Sequence, residues 1–234
     1  MSLHFPIDKF HFRSNSIFEG LPEDELIFLH ERTIHTKVKK GQTIFSEGTS
    51  PNGVFYLKSG KVKKYKTSRD GKEQIIYICS SGELLGHPAL LAEEPYSDSA
   101  SALEDSVIGF ISKHDFLIIL EKSKVLPKKL LINLSHEFNV LMNGIASFTN
   151  KTVRERLALC LLIMKDKYKP IKGESNEPVE INLSREDLAN LVGIAVETLV
   201  RLLHDFKAEK IIETQGRKIR ILDARALIKV ANFF

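Results

Sequence analysis

From residue 36 to about residue 112 the chain alternates short apolar runs with glycine, at Gly41, Gly48, Gly53, Gly60, Gly71, Gly82, Gly86 and Gly109. Val54-Phe55-Tyr56-Leu57, Lys61-Val62-Lys63-Lys64-Tyr65 and Gln74-Ile75-Ile76-Tyr77-Ile78 are β-branched or aromatic runs of strand length. Ser59-Gly60 and Asp70-Gly71 between them are turn signals of the hairpin kind. This spacing predicts an antiparallel roll, barrel or sandwich. Upstream, Leu21-Pro22-Glu23-Asp24-Glu25-Leu26 places proline and acids where a helix begins, so a short helix packing on the roll is predicted.

From residue 127 to about residue 149 the period changes. Leu131, Leu134, Phe138, Leu141, Ile145 and Phe148 are spaced by three and four residues in strict alternation, the seam that supercoiled helices need. The spacing predicts a parallel homodimer through this helix, with a core helix as the alternative, and Asn143-Gly144 interrupts the helix without breaking the seam. Asn150-Lys151-Thr152 is a polar break, with Thr152 placed to cap a helix over 153–168 that carries Leu157, Cys160, Leu161 and Met164 on one face. Residues 170–178 read as a loop and 179–183 as a strand. The expected division is 1–125 for the roll, 126–150 for the dimerisation helix and 151–234 for a third domain, in an α+β chain.

Ser184-Arg185-Glu186-Asp187-Leu188-Ala189-Asn190-Leu191-Val192-Gly193 opens a helix-turn-helix pattern. Ser184 and Asp187 resemble a capping box, Leu188, Leu191 and Val192 form an inner face, Ala189 is small where helices cross, and Gly193 suits a turn at positive φ. A second helix follows, burying Leu199, Leu202, Leu203 and Phe206 and leaving Val196, Glu197, Val200, Arg201 and His204 outward. That stripe fits a major groove, with Arg201 forking onto guanine O6 and N7 and Glu197 accepting from cytosine N4. Thr198, Ser184 and Arg185 are expected at phosphates. The bland alternative is an ordinary surface ion pair between Glu197 and Arg201. Two strands, Lys210-Ile211-Ile212-Glu213-Thr214 and Lys218-Ile219-Arg220-Ile221-Leu222, flank Gln215-Gly216-Arg217 as a wing whose Arg217 and Lys218 suit phosphate contact, and Asp223 can cap a last helix.

Charge agrees with this division. The 234 residues carry a net +4; the last 84, with 16 Lys and Arg against 12 Asp and Glu, hold all of it, while the first 150 are neutral. The two cysteines, Cys79 and Cys160, lack local partners, which argues against a disulfide framework, structural zinc or a four-cysteine iron–sulfur cluster. No apolar stretch approaches the roughly twenty residues of a membrane span, and the mixture of His4, Asp8, Lys9 and His11 near the start does not resemble a secretion signal, so a cytoplasmic protein is expected. An enzyme is not expected: no phosphate loop, nucleophile elbow or metal-ligand cluster is present, and Glu93-Glu94 sit in a loop without a base.

The order of roll, with Lys40-Gly41-Gln42-Thr43-Ile44-Phe45-Ser46-Glu47-Gly48, then dimer helix, then winged helix resembles the Crp/Fnr superfamily of bacterial transcription regulators over nearly the whole chain. The resemblance implies a cyclic-nucleotide-binding-like jelly roll as sensor and a dimer on two-fold symmetric promoter DNA, with RNA polymerase as a further partner. Val196-Glu197-Thr198-Leu199-Val200-Arg201 is most similar to the fumarate-nitrate-type branch, whose equivalent glutamate and arginine read a half-site containing TGA; Val200 departs from the serine usual there. In cyclic-AMP-binding relatives a glycine and glutamate, then an arginine and serine, grip ribose and phosphate. Here Gly86 is followed by His87 in the glutamate's place, Ser97 stands in the arginine's and Asp98 in the serine's. A carboxylate where the phosphate would lie, with no guanidinium to compensate, predicts no binding of cyclic AMP. Leu141 and Met142, expected against the adenine, offer no polar contact. The branch's cysteine cluster is missing. Haem through His87 or another of the eight histidines is an open alternative, as is a small-molecule effector or none, and the rival function is a sensory or scaffold protein whose winged helix binds protein.

Overall fold

The computed structural model describes residues 5–12, 17–169 and 179–232; the loop expected over 170–178 lies outside them. The chain divides into two compact units, Phe12–Asn139 and Met1–His11 with Val140–Phe234.

In the first unit, α1 (Glu23–Arg32) starts behind Pro22 with three acids in its first turn, which favour the positive end of the helix dipole. The roll is two four-stranded antiparallel sheets. One orders β1 (Ile34–Val38), β8 (Ser106–Ser112), β3 (Gly53–Ser59) and β6 (Leu84–Leu85); the other orders β2 (Thr43–Phe45), β7 (Ser99–Ala102), β4 (Lys61–Thr67) and β5 (Glu73–Ser80). Asp70-Gly71 does close the β4–β5 hairpin, with Thr67 opposite Glu73. Ser59-Gly60 does not close a hairpin: β3 pairs with β8 and β6, β4 with β5 and β7, and the chain changes sheet at Gly60. Gly60 takes φ +98°, and a Cβ there would lie 2.2 Å from the Ser106 hydroxyl oxygen, so the crossing needs glycine for space as well as for φ. A glycine between two strand runs marks either device, and only the pairing of distant strands distinguishes them.

Between the sheets and helices lies a core of Val54, Ile111, Leu90, Leu29 of α1, Phe116 and Ile119 of α3 (Lys113–Lys122), and Leu126 and Leu130 of α4 (Leu126–Asn150). The short α2 (His87–Ala92) follows β6. Helix α4 is continuous across the expected 127–149, and the division between the units falls inside it, after Asn139, instead of at residues 125 and 150. Its first turns bury Leu126 and Leu130 in the roll's core, so the helix is shared and does not form a third part.

In the second unit the last turns of α4 are followed by α5 (Val153–Lys167). Thr152 caps it in a reciprocal box: the Thr152 hydroxyl accepts from the Glu155 N–H and the Glu155 carboxylate accepts from the Thr152 N–H at 2.6 Å. The bonds that the Thr152 N–H and hydroxyl donate to it hold the Glu155 carboxyl below its ordinary range. The expected strand is present as β9 (Glu180–Asn182), which joins β10 (Ile212–Gln215) and β11 (Lys218–Ile221) in the order β10-β11-β9. Helices α6 (Arg185–Val192) and α7 (Val196–Ala208) precede the β10–β11 hairpin, and α8 (Ala224–Val230) closes the unit, two of its free first-turn N–H groups, Arg225 and Ala226, held by the Asp223 carboxylate at 2.9 Å.

Candidate nucleic-acid interface

Each step of the helix-turn-helix has a local cause. The Ser184 hydroxyl accepts from the Asp187 N–H at 2.9 Å and starts α6. Ala189 is fully buried, and its carbonyl accepts from Gly193 at 2.8 Å, while Gly193 takes φ +71° and ends the helix in the left-handed conformation. Leu188 and Val192 of α6 and Leu199, Leu202, Leu203 and Phe206 of α7 are buried, as their spacing predicts. A residue not foreseen completes the turn: Arg156 of α5 donates to the Val192 and Gly193 carbonyls at 3.2 and 3.4 Å, capping the end of α6 from outside. Nothing in the local pattern distinguishes this arginine from its neighbour Arg154.

The complementary face of α7 is open. Val196, Glu197, Val200, Arg201 and His204 are all exposed, and Thr198 is half-buried. Among the described residues Glu197 and Arg201 form no ion pair with each other, so the ordinary surface pair expected as the alternative is not made. The wing turn has Gly216 at φ +57° in the first of its two central positions and the exposed Arg217 in the second. The half-buried Arg185 donates to the wing's carbonyls, to Gly216 at 2.9 Å and Arg217 at 3.4 Å. It therefore braces the wing against the start of α6. Lys218 is engaged with Glu180 at 2.6 Å, and Arg220 approaches the same carboxylate at 3.1 Å; these bonds hold the Glu180 carboxyl below its ordinary range. Arg217 is thus the wing cation best placed for a phosphate.

In the roll, Gly86 takes φ +79°, with the Tyr96 ring 3.0 Å from where a Cβ would stand. His87 is buried, and its Nε2 lies 3.9 Å from a Glu137 carboxylate oxygen. Ser97 is exposed. Asp98 is largely buried and bonded to the Lys64 ammonium at 3.1 Å. Burial alone would pull Lys64 below its ordinary range, but the charge of Asp98 beside it holds it above. The expectation that Asp98 stands uncompensated is corrected by this lysine. The strand's period of two carried the signal, since Val62 faces inward and Lys64, two positions on, shares its face. Leu141 and Met142 are exposed on α4, in the second unit.

Burial, reinforced by the Lys64 charge, pushes His87 down to about 3 from 6.5. The unfolded chain takes up a proton near 6.5 that the folded chain refuses until about 3, so the stability this group confers is complete above 6.5 and declines as pH falls through that window. Denaturant unfolding across the window is expected to show wild type losing stability relative to His87→Leu with a slope approaching one proton, about 1.4 kcal/mol per pH unit, beyond the carboxylate contribution that both proteins share. Identical slopes for the two proteins would place the histidine in contact with solvent.

Residues 35–123 match the cyclic nucleotide-binding domain family and residues 155–230 the Crp-like helix-turn-helix domain family. The chain is 30% identical over 198 residues to Electron transport regulator A of Shewanella oneidensis, covering 83% of this chain and 77% of that one. It is 28% identical over 195 residues to the Fumarate and nitrate reduction regulatory protein of Vibrio cholerae, again covering 83% of this chain and 77% of that one. The structure is similar to that of FixK2 from Bradyrhizobium japonicum, with a TM-score of 0.74 and 21% identity, over 85% of this chain and 96% of that one. An α+β roll followed by a winged helix-turn-helix, with both domain families matched in that order, places this chain in the Crp/Fnr family: it is a DNA-binding transcription regulator and not an enzyme.

Proposed function

We propose that the protein works as a parallel homodimer joined through α4, each subunit laying α7 in the major groove of one half of a two-fold symmetric site. The observation that carries this reading is the exposed seam. In a single chain Leu131, Phe138, Leu141, Ile145 and Phe148 are exposed and Leu134 is half-buried, while Leu126, Leu130 and Val140 of the same helix are buried. A core helix would bury its apolar stripe; an exposed one of this length calls for a partner, and a heptad seam fits a second copy of itself. Arg201 and Glu197 then read bases, Arg217, Ser184 and Thr198 hold phosphates, and RNA polymerase is the further protein partner. Among the described residues no helix is long and apolar enough to cross a membrane, and we assign the protein to the cytoplasm, where its DNA is.

The effector, on this reading, is not cyclic AMP. A phosphate entering the cassette would have to displace Asp98 from Lys64, and neither His87 nor Ser97 supplies the missing cation. Selection from a randomised duplex pool with purified protein tests the whole reading. The expected product is a palindrome with TGA-like half-sites about 34 Å apart, centre to centre, and affinity that falls steeply with salt as phosphate counterions are released. No enrichment, with protein alone or in cell extract, would overturn it in favour of a winged helix that binds protein.

A further inference from the structure

Two of the outward residues on α7 are apolar. Val196 is 38% and Val200 50% exposed, although the same helix buries its leucines and Phe206 completely or nearly so. Valine is a poor choice for an exposed helix position, where β-branching costs side-chain freedom and the apolar surface stays in water. The two stand one turn apart on the stripe that also carries Glu197 and Arg201, each immediately ahead of one of those charged residues in sequence. Among the described residues of their own unit nothing buries them.

We propose that Val196 and Val200 determine specificity by packing on thymine 5-methyl groups in the operator. The inference rests on the reading that α7 enters the major groove. There the only apolar group that a base edge displays is the thymine methyl, and the first turns of a recognition helix are the part that reaches base edges. One helical turn advances about 5.4 Å, between one and two base-pair steps of about 3.4 Å, so the two side chains address two different base pairs of the half-site. Arg201 and Glu197 satisfy the hydrogen-bonding edges beside them; the valines distinguish thymine from the other bases by shape and desolvation, without a hydrogen bond.

The test uses the operator from the selection, with each thymine replaced singly by deoxyuridine, which removes the methyl and leaves every hydrogen-bonding group in place. Wild-type protein is expected to lose about fourfold in affinity at two thymines of each half-site, the worth of one buried methyl each, and nothing at the others. Val200→Ser abolishes the sensitivity at one of the two and Val196→Ser at the other, while both variants keep their preference for the guanine read by Arg201. Because the DNA carries the change in the first arm, a variant that folds poorly cannot mimic the result. Affinity unaffected by uracil at every position overturns the inference while leaving the groove-binding reading intact. Failure to select any DNA overturns that reading and the inference with it.

Discussion

Arg201→Ala is expected to bind the selected operator about 10- to 100-fold more weakly than wild type and to stop distinguishing guanine from the other bases at one position of each half-site. The side chain is exposed and outside the core, so the loss falls on recognition and not on folding. A guanidinium presents two parallel donors to guanine O6 and N7, and no other base pair offers two acceptors side by side in the major groove. Arg201→Lys keeps the charge but not the fork, and is expected to recover phosphate attraction without recovering the base preference. Arg217→Ala is the informative contrast. As a phosphate contact on the wing it should weaken all sequences alike and reduce the slope of log affinity against log salt by about two, one for each subunit of the dimer. Competition binding of operators differing at single base pairs separates the two; unchanged base preference in Arg201→Ala would remove it from the reading stripe.

The helix-turn-helix was legible because its determinants are local. A cap, a small residue, a glycine and a buried stripe lie within some twenty residues, and each acts on its near neighbours, which is why α6, its turn and α7 stand where the spacing put them. The caps Thr152 and Asp223 were legible for the same reason. What the sequence concealed depends on residues distant in the chain. Gly60 has the local signature of a hairpin glycine, yet β3 pairs with β8, some fifty positions on. Lys64 meets Asp98 only because β4 and β7 are neighbours, and the ion pair changes the electrostatics inferred from the cassette alone. Arg185 stands beside a helix start, which suggests a phosphate, and its guanidinium also bonds carbonyls of the wing, which the chain reaches some thirty residues later. In each case the local pattern fixed the type of residue correctly and left its partner open.

Phe138→Glu combined with Ile145→Glu is expected to convert the protein to a monomer, raising the dimer dissociation constant by at least about 100-fold, because a two-fold interface repeats each buried, unpaired carboxylate twice. Both positions are exposed in the single chain, at 63% and 59%, so the fold of each subunit should persist, with unchanged circular dichroism. Sedimentation velocity gives the mass directly. Ile132→Glu is the control, since Ile132 is exposed on the same helix but lies outside the three-and-four spacing of the seam; it should leave the dimer intact. DNA binding should follow the dimer: a monomer engages one half-site and forfeits the local concentration that the second subunit gains once the first has bound, a factor of about 10² to 10⁴. Recovery of that affinity at protein concentrations high enough to restore the dimer would tie the loss to assembly and not to damage at α7. A double variant that stays dimeric, or an Ile132→Glu that dissociates as readily, would move the interface away from the seam, and the half-site spacing would then have to be rederived from whichever face replaces it.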